Sequence, residues 1–347
     1  MIHVPDAAAA LPLHPLVELL EREFSGPALE RILELEGGAV PAAVWEQALL
    51  GPAREFLGRP GKAFRARLVQ AGWELAGGEG APPLMLPLLV ELLHAGSLIV
   101  DDIEDGSTHR RGAPALHQLY GLPLALNTGN WLYFAPLALL PRLELPAATE
   151  LAITRRAVAT LLRCHQGQAL DLSVRVGDLA QSELAGVVAA STRLKTGVLM
   201  EFAALLGALA AGAPDEKAQA LGRFGMGLGL GLQMLDDLSN LESSREGPKQ
   251  HEDLRLGRPT WPWAWLAQEL APERFGPLAA LAREVEHGRA DASKLAAAMR
   301  AALGGRGREI AHGHLHDALT HLAAAVGPAR GLMALSREIA RMEESYG

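Results

Sequence analysis

Residues 91–111 read Glu-Leu-Leu-His-Ala-Gly-Ser-Leu-Ile-Val-Asp-Asp-Ile-Glu-Asp-Gly-Ser-Thr-His-Arg-Arg. The run is apolar and helix-like, ends in a cluster of acids, and passes at once to paired arginines. On a helix, Asp101 and Asp105 stand one turn apart on one face, with His94 two turns back along it. Like charges at that spacing weaken a bare helix by a few tenths of a kcal/mol, so a cation is expected to offset them. Oxygen ligands without cysteine or a second histidine suit a hard ion, Mg²⁺ first, which commonly shares its shell with substrate phosphate. A solvated acidic helix end accounts for this one motif equally well.

Outward from it, the 347 residues are 49% hydrophobic but only 5% aromatic, and Ala and Leu far outnumber the β-branched residues. That composition favours helices, and no stretch shows strict strand alternation, so an all-α chain without sheet is expected. The net charge of −8, with no basic stripe, argues against nucleic acid. A single cysteine, Cys164, suits a reducing compartment. The N-terminus has no basic leader region and no apolar run is long enough to span a bilayer, so a soluble, cytoplasmic protein is expected. Residues 1–12, rich in Ala and Pro, read as a loose arm, and the whole chain as one domain.

Other stretches carry polar groups where a bland core would not. Gly61-Lys62-Ala63-Phe64-Arg65 offers two cations beside a helix start, a plausible diphosphate grip or ordinary solvated surface. Tyr133 and Phe134 lie in an apolar run and read as core. Gln168 and Asp171, one turn apart on an otherwise apolar face, need partners. Lys195-Thr196-Gly197 opens an apolar helix. Gly225, Gly227, Gly229 and Gly231 alternate with Met and Leu. Each costs roughly 1 kcal/mol in a helix, so either the segment is not helical or another backbone comes close. Gln233, Asp236, Asp237 and Asn240 then fall on a second acidic stripe, and Lys249, Asp253 and Arg258 follow in a loop. His312, His314, His316 and His321 cluster near the end, with no ligand pattern around them.

Taken in order, these motifs resemble the trans-isoprenyl diphosphate synthases, and among them the geranylgeranyl diphosphate synthases of fungi and animals. The resemblance covers roughly residues 55–265. It rests on Pro60-Gly61-Lys62-x-x-Arg65, on His94 to Asp105 with Arg110-Arg111-Gly112, and on His165-Gln166-Gly167-Gln168-x-x-Asp171. Lys195-Thr196-Gly197, Gln233-x-x-Asp236-Asp237-x-x-Asn240-Leu241 and Glu252-Asp253-Leu254-x-x-Gly257 complete the set.

The resemblance implies a helical bundle around a deep cavity, with two acidic helices facing each other across its mouth. It implies three Mg²⁺ ions, with Mn²⁺ as a substitute, on Asp101, Asp105 and Asp236, and Asp102 and Asp237 helping to place them. Arg110, Lys195, Lys249 and Arg258 would hold the allylic diphosphate; Lys62, Arg65, His94 and Arg111 would hold isopentenyl diphosphate. Thr196 and Gln233 would stabilise the allylic cation, and Gln168, Asp171 and Asn240 would line the same pocket. Small Gly96 and Ser97 before the first motif move the chain-length stop deeper, to Tyr133, Phe134 and His165, which favours a C20 product; a homodimer is implied by the resemblance alone.

Asn240 and the following leucine are a mark of the fungal and animal enzymes; Arg258 stands where lysine is usual, and Val100 where bacterial relatives carry histidine. A class I terpene cyclase shares the fold, but its second metal triad does not fit Asp236, Asn240 and Ser244. A non-catalytic regulatory subunit loses motif acids, and here all five aspartates remain. Farnesyl or longer-chain synthesis is the alternative within the reaction class.

Overall fold

The computed structural model describes residues 14–32, 34, 39–242 and 251–344. The proposed N-terminal arm and Lys249 lie outside them. The principal helices are α1 His14–Phe24, α2 Gly51–Leu57, α3 Phe64–Ala76, α4 Met85–Glu104, α5 Leu122–Leu139, α6 Ala147–Ser173 and α7 Gln181–Thr192. They continue as α8 Val198–Ala210, α9 Asp215–Glu242, α10 Trp261–Glu269, α11 Pro272–Glu286, α12 Ala292–Leu303, α13 Arg306–Val326 and α14 Arg330–Glu344.

Helix α8 is the centre of the bundle. Its sequence, Val-Leu-Met-Glu-Phe-Ala-Ala-Leu-Leu-Gly-Ala-Leu-Ala, is apolar almost all round, and a helix of that kind must be covered on most sides. It packs between α3 and α9; α4 packs on α5, and α9 also on α13. These contacts bring α3, α4, α6, α8 and α9 around one cavity.

The glycine run lies inside α9 and is helical. Residues two apart on a helix point to nearly opposite sides, so the run serves two neighbours. A Cβ at Gly225 would come 2.5 Å from the carbonyl oxygen of Met200 in α8, whereas one at Gly227 would meet Ala318 of α13 at 3.0 Å. The close approach on both flanks offsets the propensity cost.

One expectation needs correction. A two-stranded antiparallel hairpin joins β1 His109–Arg110 to β2 Ala113–Pro114, pairing Arg110 with Ala113. Its loop residues, Arg111 and Gly112, have φ of 53° and 79°, the positive pair of a type I′ turn. Strands of two residues are too short to show alternation, so the sequence carries no strand signal here. Among the described residues no helix is long and apolar enough to cross a membrane.

Candidate active site

The cavity has a volume of about 870 Å³, near the upper end of the about 300–1,000 Å³ usual for ligand pockets. Asp101 and Glu104 of α4 line it on one side and Gln233 and Asp236 of α9 on another; Lys62, Arg65, His94, Arg110, Arg111 and Lys195 surround them. Residues of both acidic helices thus open on one space.

On the first side, protein cations gather the acids. Lys195 Nζ donates to Asp101 Oδ1 at 3.2 Å and to Asp171 Oδ2 at 2.6 Å, joining α6 to the first motif. Gln168 Nε2 reaches Asp101 Oδ1 at 3.1 Å and Glu104 Oε2 at 2.8 Å, so the polar pair on α6 has its partners. Arg110 donates to Asp101 Oδ2 at 3.2 Å and to Asp102 Oδ1 at 2.7 Å. Burial would raise the Asp101 carboxyl, but Lys195, Gln168 and Arg110 together hold it below its ordinary value. Burial would lower Lys195, and Asp101 and Asp171 more than reverse that.

Lys195 and Thr196 reach the cavity because residues Arg193–Gly197 form a π turn between α7 and α8. Such wide turns recur at functional sites, since they re-aim side chains out of the regular helical ladder. The Thr196 hydroxyl donates to Gln233 Oε1 at 3.0 Å, and Gln233 Nε2 donates to Asp237 Oδ1 at 2.8 Å. Asp237 Oδ2 accepts the Trp261 backbone N–H at 2.9 Å, at the first turn of α10.

The second aspartates of both motifs are therefore not cavity groups. Asp102 is wholly buried and Asp237 nearly so, and neither lines the cavity. Asp102 orients Arg110, while Asp237 ties α9 to α10. Burial, with Asp253 adding to it, raises the Asp237 carboxyl well above its ordinary value. Both are placed to hold neighbouring groups in position.

Arg258, Gly96, Phe134 and Asn240, with Asp105 and Asp171, also lie outside the cavity lining. Arg258 pairs with Asp105 through Nη2 and approaches Asp253 at 3.7 Å, and it does not line the cavity. Gly96 is buried against α5, where a Cβ would come 2.8 Å from the Gly129 carbonyl oxygen, so of the small pair only Ser97 faces the cavity. Phe134 is 66% exposed on the outside of α5, while its neighbour Tyr133 lines the cavity. Tyr133 meets the His165 ring edge to face, with centroids 5.0 Å apart. Asn240 also lies outside the cavity lining; its carbonyl accepts from His251 Nδ1 at 3.2 Å.

On the cationic side, α3 begins at Phe64, so Lys62 precedes the helix and Arg65 sits in its first turn. His94 is deep among atoms, and burial, then Arg65, Arg111 and Arg110, hold its pKa well below the usual histidine value. It is a neutral donor in a ring of cations, suited to an anion and not to a metal. Asp236 is open to the cavity, yet the surrounding protein raises its pKa, with Lys62 partly opposing.

Comparison with known proteins now bears on this arrangement. The polyprenyl synthetase family profile matches residues 46–300. The chain belongs to the polyprenyl synthetase family. It is similar to geranylgeranyl pyrophosphate synthase 2 of Zymoseptoria tritici, 33% identical over 65% of this chain and 66% of that protein. It is also similar to the geranylgeranyl diphosphate synthase of Sulfolobus acidocaldarius, 30% identical over 58% and 61%. The chain thus spans about two thirds of the length of these relatives. Among solved structures, a decaprenyl diphosphate synthase from Rhodobacter capsulatus superposes with a TM-score of 0.75 at 22% identity, covering 97% of this chain and all of that one. A geranylgeranyl pyrophosphate synthase from Lactobacillus brevis gives 0.76 at 20% identity, covering 96% of each.

The polyprenyl synthetase donor set fits a hard divalent cation. Its acids are carboxylates, and of the three lining histidines His94 is held neutral by burial and the surrounding arginines. Among the described residues no group of three or more His, Cys, Asp or Glu side chains can hold an ion unaided. Mg²⁺ commonly takes one or two carboxylates and completes its shell with phosphate oxygens, which suits carboxylates spread over two walls.

Several lining residues of this polyprenyl synthetase carry no sequence signal. Glu91 lines the cavity and accepts the Ala66 backbone N–H at 3.0 Å, capping the helix that bears Arg65. Leu161 and Cys164 of α6 and Met342 of α14 also line it. His312 instead pairs with Glu343 at 2.6 Å and His314 donates to the Gly227 carbonyl at 3.0 Å, so those two histidines anchor helices.

Proposed function

We propose that this protein joins an allylic diphosphate to isopentenyl diphosphate head to tail (1′-4), and releases C20 geranylgeranyl diphosphate. One observation carries the reading: acids from two helices, a set of lysines and arginines and the apolar side chains of Leu98, Leu161, Leu199 and Leu232 share one cavity. That is what a substrate with a charged head and a greasy tail requires.

Asp101, Asp105 and Asp236 are the residues that would hold Mg²⁺, three ions in all with Mn²⁺ as a substitute. The ions would supply positive charge to the departing diphosphate. Lys195 and Arg110 hold the allylic diphosphate, with Lys249 assigned to the same group on the family resemblance; Asp105 would release Arg258 on taking an ion. Lys62, Arg65, Arg111 and neutral His94 grip isopentenyl diphosphate. The allylic C1–O bond breaks with its electrons on diphosphate, and the isopentenyl double bond forms the new C–C bond. The proton then lost is taken by the released diphosphate. Thr196 and Gln233 turn their dipoles toward the transient cation, and the apolar depth keeps water from it.

Tyr133 closing on His165, together with likeness to geranylgeranyl diphosphate synthases, supports the C20 product. Phe134, Leu151, Val158 and Leu162 are exposed on α5 and α6. Leu151, Val158 and Leu162 fall on one side of α6 by helical spacing, and exposed apolar residues so placed support a homodimer built on these helices. We further propose a single cytoplasmic domain. Incubation with Mg²⁺, isopentenyl diphosphate and dimethylallyl, geranyl or farnesyl diphosphate, followed by product sizing, tests the reading. C20 product is expected; exclusive C15 or C30-plus product overturns the chain length, and no condensation overturns the reaction.

A further inference from the structure

Arg59 is a charged side chain only 4% exposed, and it is no part of the cavity lining. Its Nε and Nη2 donate to the Glu55 carboxylate one turn earlier, at 2.8–3.2 Å. Nη1 donates to the Arg110 carbonyl at 3.2 Å and Nη2 to the Pro114 carbonyl at 2.8 Å. Those carbonyls belong to opposite strands of the β1–β2 hairpin. The Arg59 guanidinium lies 5.2 Å from the Phe56 ring centroid, and the Arg111 guanidinium lies 5.7 Å from the same ring. Arg111 also rests against Gly61, where a Cβ would come 3.2 Å from its Cζ. From Arg59 the chain runs directly into Pro60-Gly61-Lys62.

A hairpin with two residues per strand has too few ladder bonds to fix its own position. Arg110 and Arg111 ride on it, so something outside must locate it. A planar guanidinium can hold two carbonyls and a carboxylate at once; a lysine ammonium, as a point charge, cannot keep that fork geometry. Glu55 neutralises the buried charge, leaving the fork free to act on the hairpin backbone.

We infer that Arg59 is a positioning residue that sets the spacing between the two halves of the isopentenyl diphosphate grip, the Gly61–Arg65 turn and the Arg111 hairpin. The substrate class rests on the prenyl-transfer reading above. Arg59 touches no substrate; it acts through Arg111.

The test is a cycle of Arg59→Lys, Arg111→Gln and the double variant, read by KM for isopentenyl diphosphate, by kcat, and by calorimetry with inorganic pyrophosphate. Arg54→Lys, in the helix just before Arg59, is the control. Arg59→Lys is expected to raise KM about tenfold and weaken pyrophosphate binding in parallel, with Arg54→Lys unchanged. In the Arg111→Gln background the same change is expected to move KM less than about twofold, because coupled neighbours are not additive. An unchanged KM, or a full tenfold rise in the Arg111→Gln background, overturns the inference. Should Arg59→Lys not fold, Glu55→Gln stands in with a rise of about threefold, and its absence is equally fatal. Pyrophosphate affinity is read without turnover, so failure of the prenyl-transfer reading would leave this test interpretable.

Discussion

Replacing Gly225 with alanine probes the packing that holds the two walls of the site together. The added Cβ would lie 2.5 Å from the Met200 carbonyl oxygen, 2.9 Å from its carbon and 3.1 Å from Ala204 Cβ. An ordinary carbon–oxygen contact is about 3.3–3.6 Å, so α8 and α9 would have to part by close to an ångström. The obstacle is backbone and cannot rotate away. Overpacking of this kind costs about 1–3 kcal/mol, and alanine returns about 1 kcal/mol of helix propensity, leaving a net loss of up to about 2 kcal/mol. Gly186 in α7 has nothing within 4 Å, so Gly186→Ala should stabilise by about 1 kcal/mol. Urea unfolding followed by helical ellipticity reads both, and the two midpoints should move in opposite directions. Turnover by the folded Gly225→Ala protein should also fall, since α8 follows Lys195 and Thr196 and α9 carries Asp236. A Gly225→Ala variant as stable as Gly186→Ala would refute the α8–α9 crossing.

Other outcomes follow from the same geometry. Tyr133→Ala should lengthen the product by mass spectrometry, whereas Phe134→Ala should leave its length unchanged within a chain, because only Tyr133 lines the cavity. Burial pushes the Cys164 thiol up to about 12 from an ordinary 9.0. Its thiolate fraction at pH 8 is therefore about a thousandfold below that of a free thiol, so iodoacetamide labelling of the folded protein should be negligible and should appear only in denaturant. Leu162→Glu with Val158→Glu should halve the mass measured by light scattering without loss of helix; an unchanged mass would exclude α6 from a dimer interface.

Much of this was legible along the chain because it is written in local period. The acidic stripes at Asp101 and Asp236, the polar pair Gln168 and Asp171, and the helices that bear them need only a 3.6-residue repeat to be seen. What failed to show depends on which neighbour a face meets. Tyr133 and Phe134 are adjacent, so a helix must aim them about 100° apart, and the packing of α5 on α4 decides which one enters. Gly96 looked like open space for a product chain but is the point where α5 crosses. Asp102 and Asp237 fall on the motifs yet turn to Arg110 and Trp261, because adjacent helical residues cannot share one face. The π turn at 193–197 has no residue signature, and the grip of Arg59 on a distant hairpin has none either.

The central claim is that both acidic walls converge, through a divalent ion, on one diphosphate. Calorimetry with an unreactive allylic thiodiphosphate, with Mg²⁺ and with chelator, tests it most directly for the wild type, Asp101→Asn and Asp236→Asn. The account predicts Mg²⁺-dependent binding that weakens by about tenfold or more in each variant. Binding that ignores Mg²⁺, or that Asp236→Asn leaves intact, would contradict it.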